Sequence, residues 1–403
     1  MSTYSIDRMA VVRADRAHPA GGSTVTLLVA TALLVLMQLY AAIPLIAPVG
    51  VALGAEVTFA LSTVFSACYA VGFLVWGPLA DHYGRRRIML IGLAALSVAT
   101  LACGFASSVP ALAVLRGVQG LMASSFAPVA LAYLAEATPP PRRATAIGAM
   151  STAFLVAGIA GQVLASAITL TLGWAWVFLL SGIALGLCLL GVLVLVAEPA
   201  RMPGDGSLAR RFAAVGKVAT RPSVLLLCAA HLTLLLSFVA MSTGLGPHLA
   251  TLGLDASQII WPRLVALPGV FASLYAGALA RRLGGAGVAR AGFALAGTGL
   301  LLGAVLAGSL VGTAAATLVF VTGIALAVPA MITLFGETAA PNRAGGMALN
   351  GFVLFLGATL GPLTARLHID FPILLVGLAA LMGVAVASLT GFARVTRTTE
   401  ASA

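Results

Sequence analysis

Gly77-Pro78-Leu79-Ala80-Asp81-His82-Tyr83-Gly84-Arg85-Arg86-Arg87 (GPLADHYGRRR) is the densest charge cluster of this sequence. Charged residues make up 8% of the chain, yet Asp81, Arg85, Arg86 and Arg87 fall within these eleven positions. On either side lie long apolar runs, near 59–80 and 88–106. A carboxylate and three guanidiniums between two such runs mark a polar turn joining two helices. Each run has the roughly 20 apolar residues that a helix needs to cross a bilayer.

The same pattern extends over the whole chain. Of 403 residues, 61% are hydrophobic, and the mean hydropathy is +1.10. Such a chain lacks the polar residues to cover a water-facing surface. Twelve apolar segments can be counted, near 25–47, 59–80, 88–106, 110–134, 144–168, 174–196, 222–246, 257–280, 288–307, 311–335, 345–364 and 371–393. Gly and Pro recur inside them, as membrane helices tolerate. No short apolar core with a small-residue cleavage site precedes the first segment, so that segment is expected to direct insertion itself. The expectation is an all-α integral membrane protein with twelve transmembrane helices.

Charge gives the orientation. Twelve crossings return both termini to one side, and all but three of the 22 Lys and Arg fall on that side. The exceptions are Arg116, Arg263 and Arg366. The positive-inside rule makes the Arg-rich side cytoplasmic, with both termini there, in a bacterial inner (plasma) membrane. The net charge of +11 is spread over short inter-helix clusters, which argues against nucleic acid as a partner. Cys68, Cys103, Cys188 and Cys228 each sit in an apolar run without C-x-x-C spacing and read as small buried hydrophobes. No metal or cofactor is expected.

The longest polar stretch after the N-terminal one, residues 197–221, divides six segments from six. The expected organisation is a cytoplasmic tail over 1–24, a six-helix bundle over 25–196, a cytoplasmic linker over 197–221, a second bundle over 222–393 and a cytoplasmic tail over 394–403. The halves repeat. Gly77, Leu79, Ala80 and Gly84 match Gly277, Leu279, Ala280 and Gly284 at an offset of 200. Glu136 and Arg142 match Glu337 and Arg343 at 201, and Gly161 matches Gly361 at 200. Duplicated halves around a central site are a common plan of secondary transporters.

The stretch G-x-L-A-D-x-x-G-R-R-R between the second and third segments resembles the signature loop of the major facilitator superfamily. With twelve helices, a six-plus-six split and a weaker second copy of the loop, the resemblance covers nearly the whole chain. It departs at His82, where the family usually has Arg. The resemblance implies the major facilitator fold and a conformational latch made of Gly77, Asp81, Gly84, Arg85, Arg86, Arg87, Gly277 and Gly284. In it Asp81 would meet the second half near Ala344 to Met347. Gly77 and Gly84 would permit close helix approach and a tight turn. Glu136 with Arg142, and Glu337 with Arg343, are expected as ion pairs of the two halves. The resemblance reaches most closely to the drug:proton antiporter branch with twelve helices, although the helix 5 region, Gly148 to Gly161, keeps glycines and lacks the proline of that branch.

Three residues are candidates for coupling. Arg116 lies in the R-x-x-x-G pattern of helix 4, which the resemblance links to proton coupling; the competing expectation is an interfacial Arg that snorkels outward. His231 is the one titratable group well inside an apolar segment whose ordinary range is near neutral, and Glu136 stands at an inner end. By resemblance helices 1, 4, 7 and 10 line the central cavity, offering Gln38, Tyr40, Gln119, Phe126, His231, Met241, Phe320 and Met331. This mostly apolar set suits neutral or amphipathic small molecules, with protons as the coupling partner, while Arg116 and Arg263 keep an organic anion open. Import of a small metabolite is the alternative direction. The chain shows no H-E-x-x-H, no G-x-S-x-G and no paired aspartates within the membrane, so an enzyme is not expected. A non-transporting sensor or scaffold is the rival from another class. A working monomer is expected, because one chain holds both halves.

Overall fold

A computed structural model describes residues 21–198, 208–340 and 342–401. The expected tail residues Arg8, Arg13 and Arg16, with Arg201 and Pro341, lie outside the described residues. Among the described residues, twelve helices are long and apolar enough to cross a membrane. In chain order they are α1 Gly22–Tyr40, α2 Phe59–Tyr83, α3 Arg85–Cys103, α4 Val109–Ala137, α5 Thr145–Leu172 and α6 Trp174–Leu195, then α7 Pro222–Thr251, α8 Ile260–Leu283, α9 Gly285–Val305, α10 Leu310–Thr338, α11 Arg343–Leu367 and α12 Phe371–Thr396. Among the described residues there is no strand. A shorter apolar helix, Ala42–Leu53, continues the path of α1 after a break at Ala41. The linker carries a helix, Leu208–Ala219, that packs on α2 and α11.

Turn chemistry sets the boundaries. The backbone at Gly84 has φ 106° and at Gly284 has φ 72°, conformations that a Cβ disfavours. Both glycines therefore end one helix and start the next in a single step. Ser108 accepts from the Ala111 N–H at the start of α4, and Ser309 accepts from the Gly312 N–H at the start of α10. These two N-caps, 201 positions apart, add to the duplication. Breaks follow proline: α4 turns at Ser124–Phe126 just before Pro128. In α8, which holds Pro262 and Pro268, the pieces are Ile260–Val265, Leu267–Val270, a 3-10 stretch Phe271–Tyr275 and Ala276–Leu283.

Small residues bring the helices close. A Cβ on Gly120 would collide with the backbone of Phe65, and one on Gly357 with the carbonyl of Leu232. These contacts seat α4 on α2 and α11 on α7. Gly161, whose added Cβ would lie 3.0 Å from the Met37 carbonyl, does the same between α5 and α1. Large apolar side chains such as Val51, Val194 and Val305 are more than 80% exposed, as suits surfaces that face lipid.

Candidate functional site

One cavity of about 730 Å³ lies between the two halves. Its walls are Tyr69, Phe73, Gly77 and Asp81 of α2 and Arg85 of α3, with the parts of α4 and α5 nearest the linker. The second half contributes Leu235 and Phe238 of α7, Ile324, Val328 and Ile332 of α10, and Asn350, Leu354 and Phe355 of α11. Val215 of the linker helix and Asn342 to Met347 stand at the same end as Asp81. The cavity therefore occupies the linker side of the molecule.

An aromatic floor closes it. Tyr69 stacks on Phe355 with ring centroids 4.1 Å apart, and Phe73 stacks on the same ring at 5.4 Å. Tyr40 meets Phe238 edge-on at 5.6 Å. Both contacts join the first half to the second. A Cβ on Gly351 would overlap the Phe73 ring, so glycine is what lets α11 come this near α2.

Beyond that floor the halves are tied together on the far side. Arg366 at the end of α11 reaches Glu56 at 2.9 Å, and Arg263 of α8 donates to the Ser166 hydroxyl of α5 at 3.2 Å. Arg263 is 7% exposed. For Glu56, partial burial works against ionisation, but hydrogen bonds from Thr58 and the Arg366 guanidinium hold its carboxyl below the usual carboxylate range. Two of the three arginines that break the charge bias of the sequence thus bridge the halves.

The third is Arg116. It does not snorkel: it is wholly buried. Its Nε donates to the Leu61 carbonyl at 2.7 Å, its Nη2 to the Gln38 carbonyl at 3.1 Å, and its Nη1 to Gln119, with the Phe65 ring 4.1 Å from its Cζ. Gln119 also donates to Gln38 and Thr100. Carbonyls, amides and a ring face thus take the place of a carboxylate, and the group ties α1, α2, α3 and α4 into one unit.

The signature loop is built differently from the expectation. Arg85 donates to Glu136 at 2.6 Å and to Asp81 at 3.4 Å, all within the first half. Glu136 thus pairs with Arg85 and not with Arg142, and among the described residues no ion pair joins Glu337 to Arg343. Glu198 accepts from the backbone N–H groups of Arg85 and Arg86 at 2.8 and 3.1 Å, which caps α3. Arg86 in return donates to the carbonyls of Val196 and Leu193, which caps α6. Around an added Cβ at Gly77 or Gly277 nothing lies within 4 Å, so neither glycine makes a close helix contact here. In this conformation the cavity occupies the space into which such a contact would close. Gly84 and Gly284 are required for their turns, as described.

Of the residues expected along the cavity, Tyr40 lines it. Gln38, Gln119, Phe126, His231, Met241, Phe320 and Met331 are buried within the protein and not on the cavity wall. Their helices are apolar all round, so hydropathy does not tell which face meets the cavity. His231 is fully buried behind the wall, with its Nε2 2.9 Å from the Asn350 amide nitrogen and its ring 5.2 Å from Phe335. Asn350, Tyr69, Phe73, Phe355 and Glu198 are additional. The Phe65, Tyr69, Phe73 ladder, at spacing of four, is the one signal in the sequence that could have found the floor.

A family model described as Major Facilitator Superfamily matches residues 28–362. The Multidrug export protein EmrB of Haemophilus influenzae is 30% identical over 167 residues, covering 40% of this chain and 32% of that protein. The Tetracenomycin C resistance and export protein of Streptomyces glaucescens is 32% identical over 132 residues, covering 33% of this chain and 24% of that protein. The chain is thus matched over no more than about a third of these curated relatives. A bacterial homologue of the human lysosomal transporter Spinster, solved in an inward-facing and unoccupied conformation, superposes with a TM-score of 0.65 at 18% identity, over 91% of this chain and 93% of that one. This last likeness concerns the fold. With the duplicated halves, the signature loop and a match across 28–362, the chain belongs to the Major Facilitator Superfamily.

Proposed function

We propose that this protein exports small neutral or amphipathic compounds across a bacterial inner membrane, in exchange for protons, by alternating access. The observation that carries the reading is the asymmetry of the central path: a cavity of about 730 Å³ on the linker side, and ion-pair and hydrogen-bond ties between the halves on the far side. The excess of Arg on the linker side makes that side cytoplasmic, with both termini, so the conformation is inward-facing. An apolar, aromatic wall with few polar groups suits amphipathic compounds better than sugars. The export named for the two relatives supports the direction. The working units are the bundles 25–196 and 222–393, flanked by the tails 1–24 and 394–403 and joined by the linker 197–221, and a single chain suffices.

Closure of the cytoplasmic mouth brings the Asp81, Arg85 and Glu136 cluster to the start of α11, where Ala344, Gly345 and Met347 share the cavity with it. Arg85 Nη1 has no partner among the described residues in the open state, which supports its use in the closed one. His231 serves coupling. Cells expressing the wild type or Asp81→Asn are given a mixed panel of antimicrobials, dyes and metabolites, and their contents are measured by mass spectrometry. Lower levels of some compounds only with the wild type are expected. Higher levels would make the protein an importer, and equal levels for the whole panel would refute transport of these classes.

A further inference from the structure

Asn350 stands on the cavity wall with its amide nitrogen on a buried imidazole. An amide nitrogen only donates, so with the amide placed this way His231 Nε2 accepts, an arrangement that requires the neutral tautomer with its proton on Nδ1. Nδ1 has no partner among the described residues. The amide oxygen of Asn350 likewise has none, which leaves it for a ligand in the cavity.

We propose that His231 sets the hydrogen-bonding polarity of Asn350, so that the cavity presents an acceptor when the ring is neutral and a donor when it is protonated. This rests on the proton-coupled reading above and deepens it. When the Asn350 amide swings off Nε2, a hydronium ion in the cavity gives its proton to the freed lone pair and leaves as water. Nε2 then donates, and it can be satisfied only by the amide oxygen, so the amide turns over. The oxygen leaves the cavity and the nitrogen, with its two N–H groups, replaces it. A substrate that offers an N–H or O–H at that point is held by the neutral form and released by the protonated one. Selectivity and coupling then meet in one side chain, which makes Asn350 a specificity residue and His231 a positioning residue.

The surroundings leave the ring to respond to Asn350. The titratable groups on the described residues of the elements around it are Cys228 and His248 on α7, Glu337 near the end of α10, Arg343 and Arg366 at the ends of α11, Arg394 near the end of α12 and Lys217 on the linker helix. None hydrogen-bonds to the ring among the described residues; the ring meets the Asn350 amide and the Phe335 ring. The pair is also held in place: added Cβ atoms at Gly346 and Gly357 would strike the carbonyls of Phe335 and Leu232, so α11 cannot back away from α10 and α7 without losing close contact.

The chain has two asparagines, Asn342 and Asn350, so the test is spectroscopic. Full-length protein with 15N-asparagine and, separately, 15N-histidine is titrated in nanodiscs from about pH 8 to about pH 4, which spans the ordinary imidazole range. Asn342→Ser assigns the Asn350 side-chain amide, and His231→Gln assigns the ring. The expected result is a shift of the Asn350 amide signals in step with protonation of His231, and its loss in His231→Gln. An Asn350 amide that stays put while His231 titrates would overturn the proposal. So would a ring that never titrates, or an Asn350 shift that persists in His231→Gln. Should either variant fail to fold, Asn342→Asp and His231→Asn give the same assignments. It needs no substrate, so its failure leaves proton-coupled export standing on another group, and a failure of export leaves the switch standing.

Discussion

Replacing Ser166 by alanine should open the far side. In the closed arrangement the Ser166 hydroxyl accepts from Arg263 Nη1 at 3.2 Å, and Arg263 is 7% exposed. Water therefore cannot take the place of the lost acceptor. A hydrogen bond to a charged group contributes about 1.5–3 kcal/mol, more when the orphaned donor is buried. Opening brings Arg263 to water, so the loss falls on the closed form alone. A shift of about 2 kcal/mol moves the closed-to-open ratio by about thirtyfold. Glu56→Gln removes the other tie, but both of those side chains are more than half exposed, so the expected change is only about twofold. Nitroxide labels at Val51 and Leu367, exposed positions on the far side of the two halves, report the opening by pulsed EPR distances, with the four native cysteines replaced. A long-distance population should grow strongly in Ser166→Ala and slightly in Glu56→Gln. Equal distributions in wild type and Ser166→Ala, or the reverse order of the two variants, would refute the assignment of the closing free energy to the buried contact.

Glu198→Ala removes the cap of α3 and should lower the thermal stability of the purified protein by about 0.5–2 kcal/mol, read by a thermal shift assay against wild type. Gly120→Leu forces a side chain into the Phe65 backbone, and the expected outcome is loss of monodisperse protein on size exclusion, at several times the 1–3 kcal/mol of ordinary overpacking. The Glu56 carboxyl is held below its usual range, so its pairing with Arg366 persists above about pH 4.5 and is lost only as pH falls through the lowered value. Between about pH 5.5 and about pH 8, Glu56→Gln should therefore leave the pH profile of flux unchanged in shape.

The chain announced its fold through hydropathy, because twelve runs of bilayer length have few other solutions. The turn glycines Gly84 and Gly284 were legible for a similar reason: a one-step reversal between long helices requires a positive φ. The cavity was not. Helices such as α7 and α10 are apolar on every face, and only packing decides that Phe238 meets the cavity while Met241 is buried away from it. Arg116, Arg263 and Arg366 stood out by breaking the charge bias, but apart from Gln119 their partners lie far away in sequence; Glu56 is 310 positions from Arg366. Glu198 was hidden in plain sight as a linker residue, since a carboxylate that caps a distant helix looks like any solvated charge.

The breaks in α8 distinguish two helices that began as copies. Over the corresponding length α2 is a π-helical start followed by one uninterrupted α-helix, Val64–Tyr83, whereas α8 changes geometry three times. Each change interrupts the line of backbone hydrogen bonds that gives a helix its bending stiffness. The duplicated halves are therefore unequal mechanical partners. In the first, Arg116 and Gln119 knit four helices together, and in the second α8 is the element with the least continuous backbone ladder and so the more easily bent.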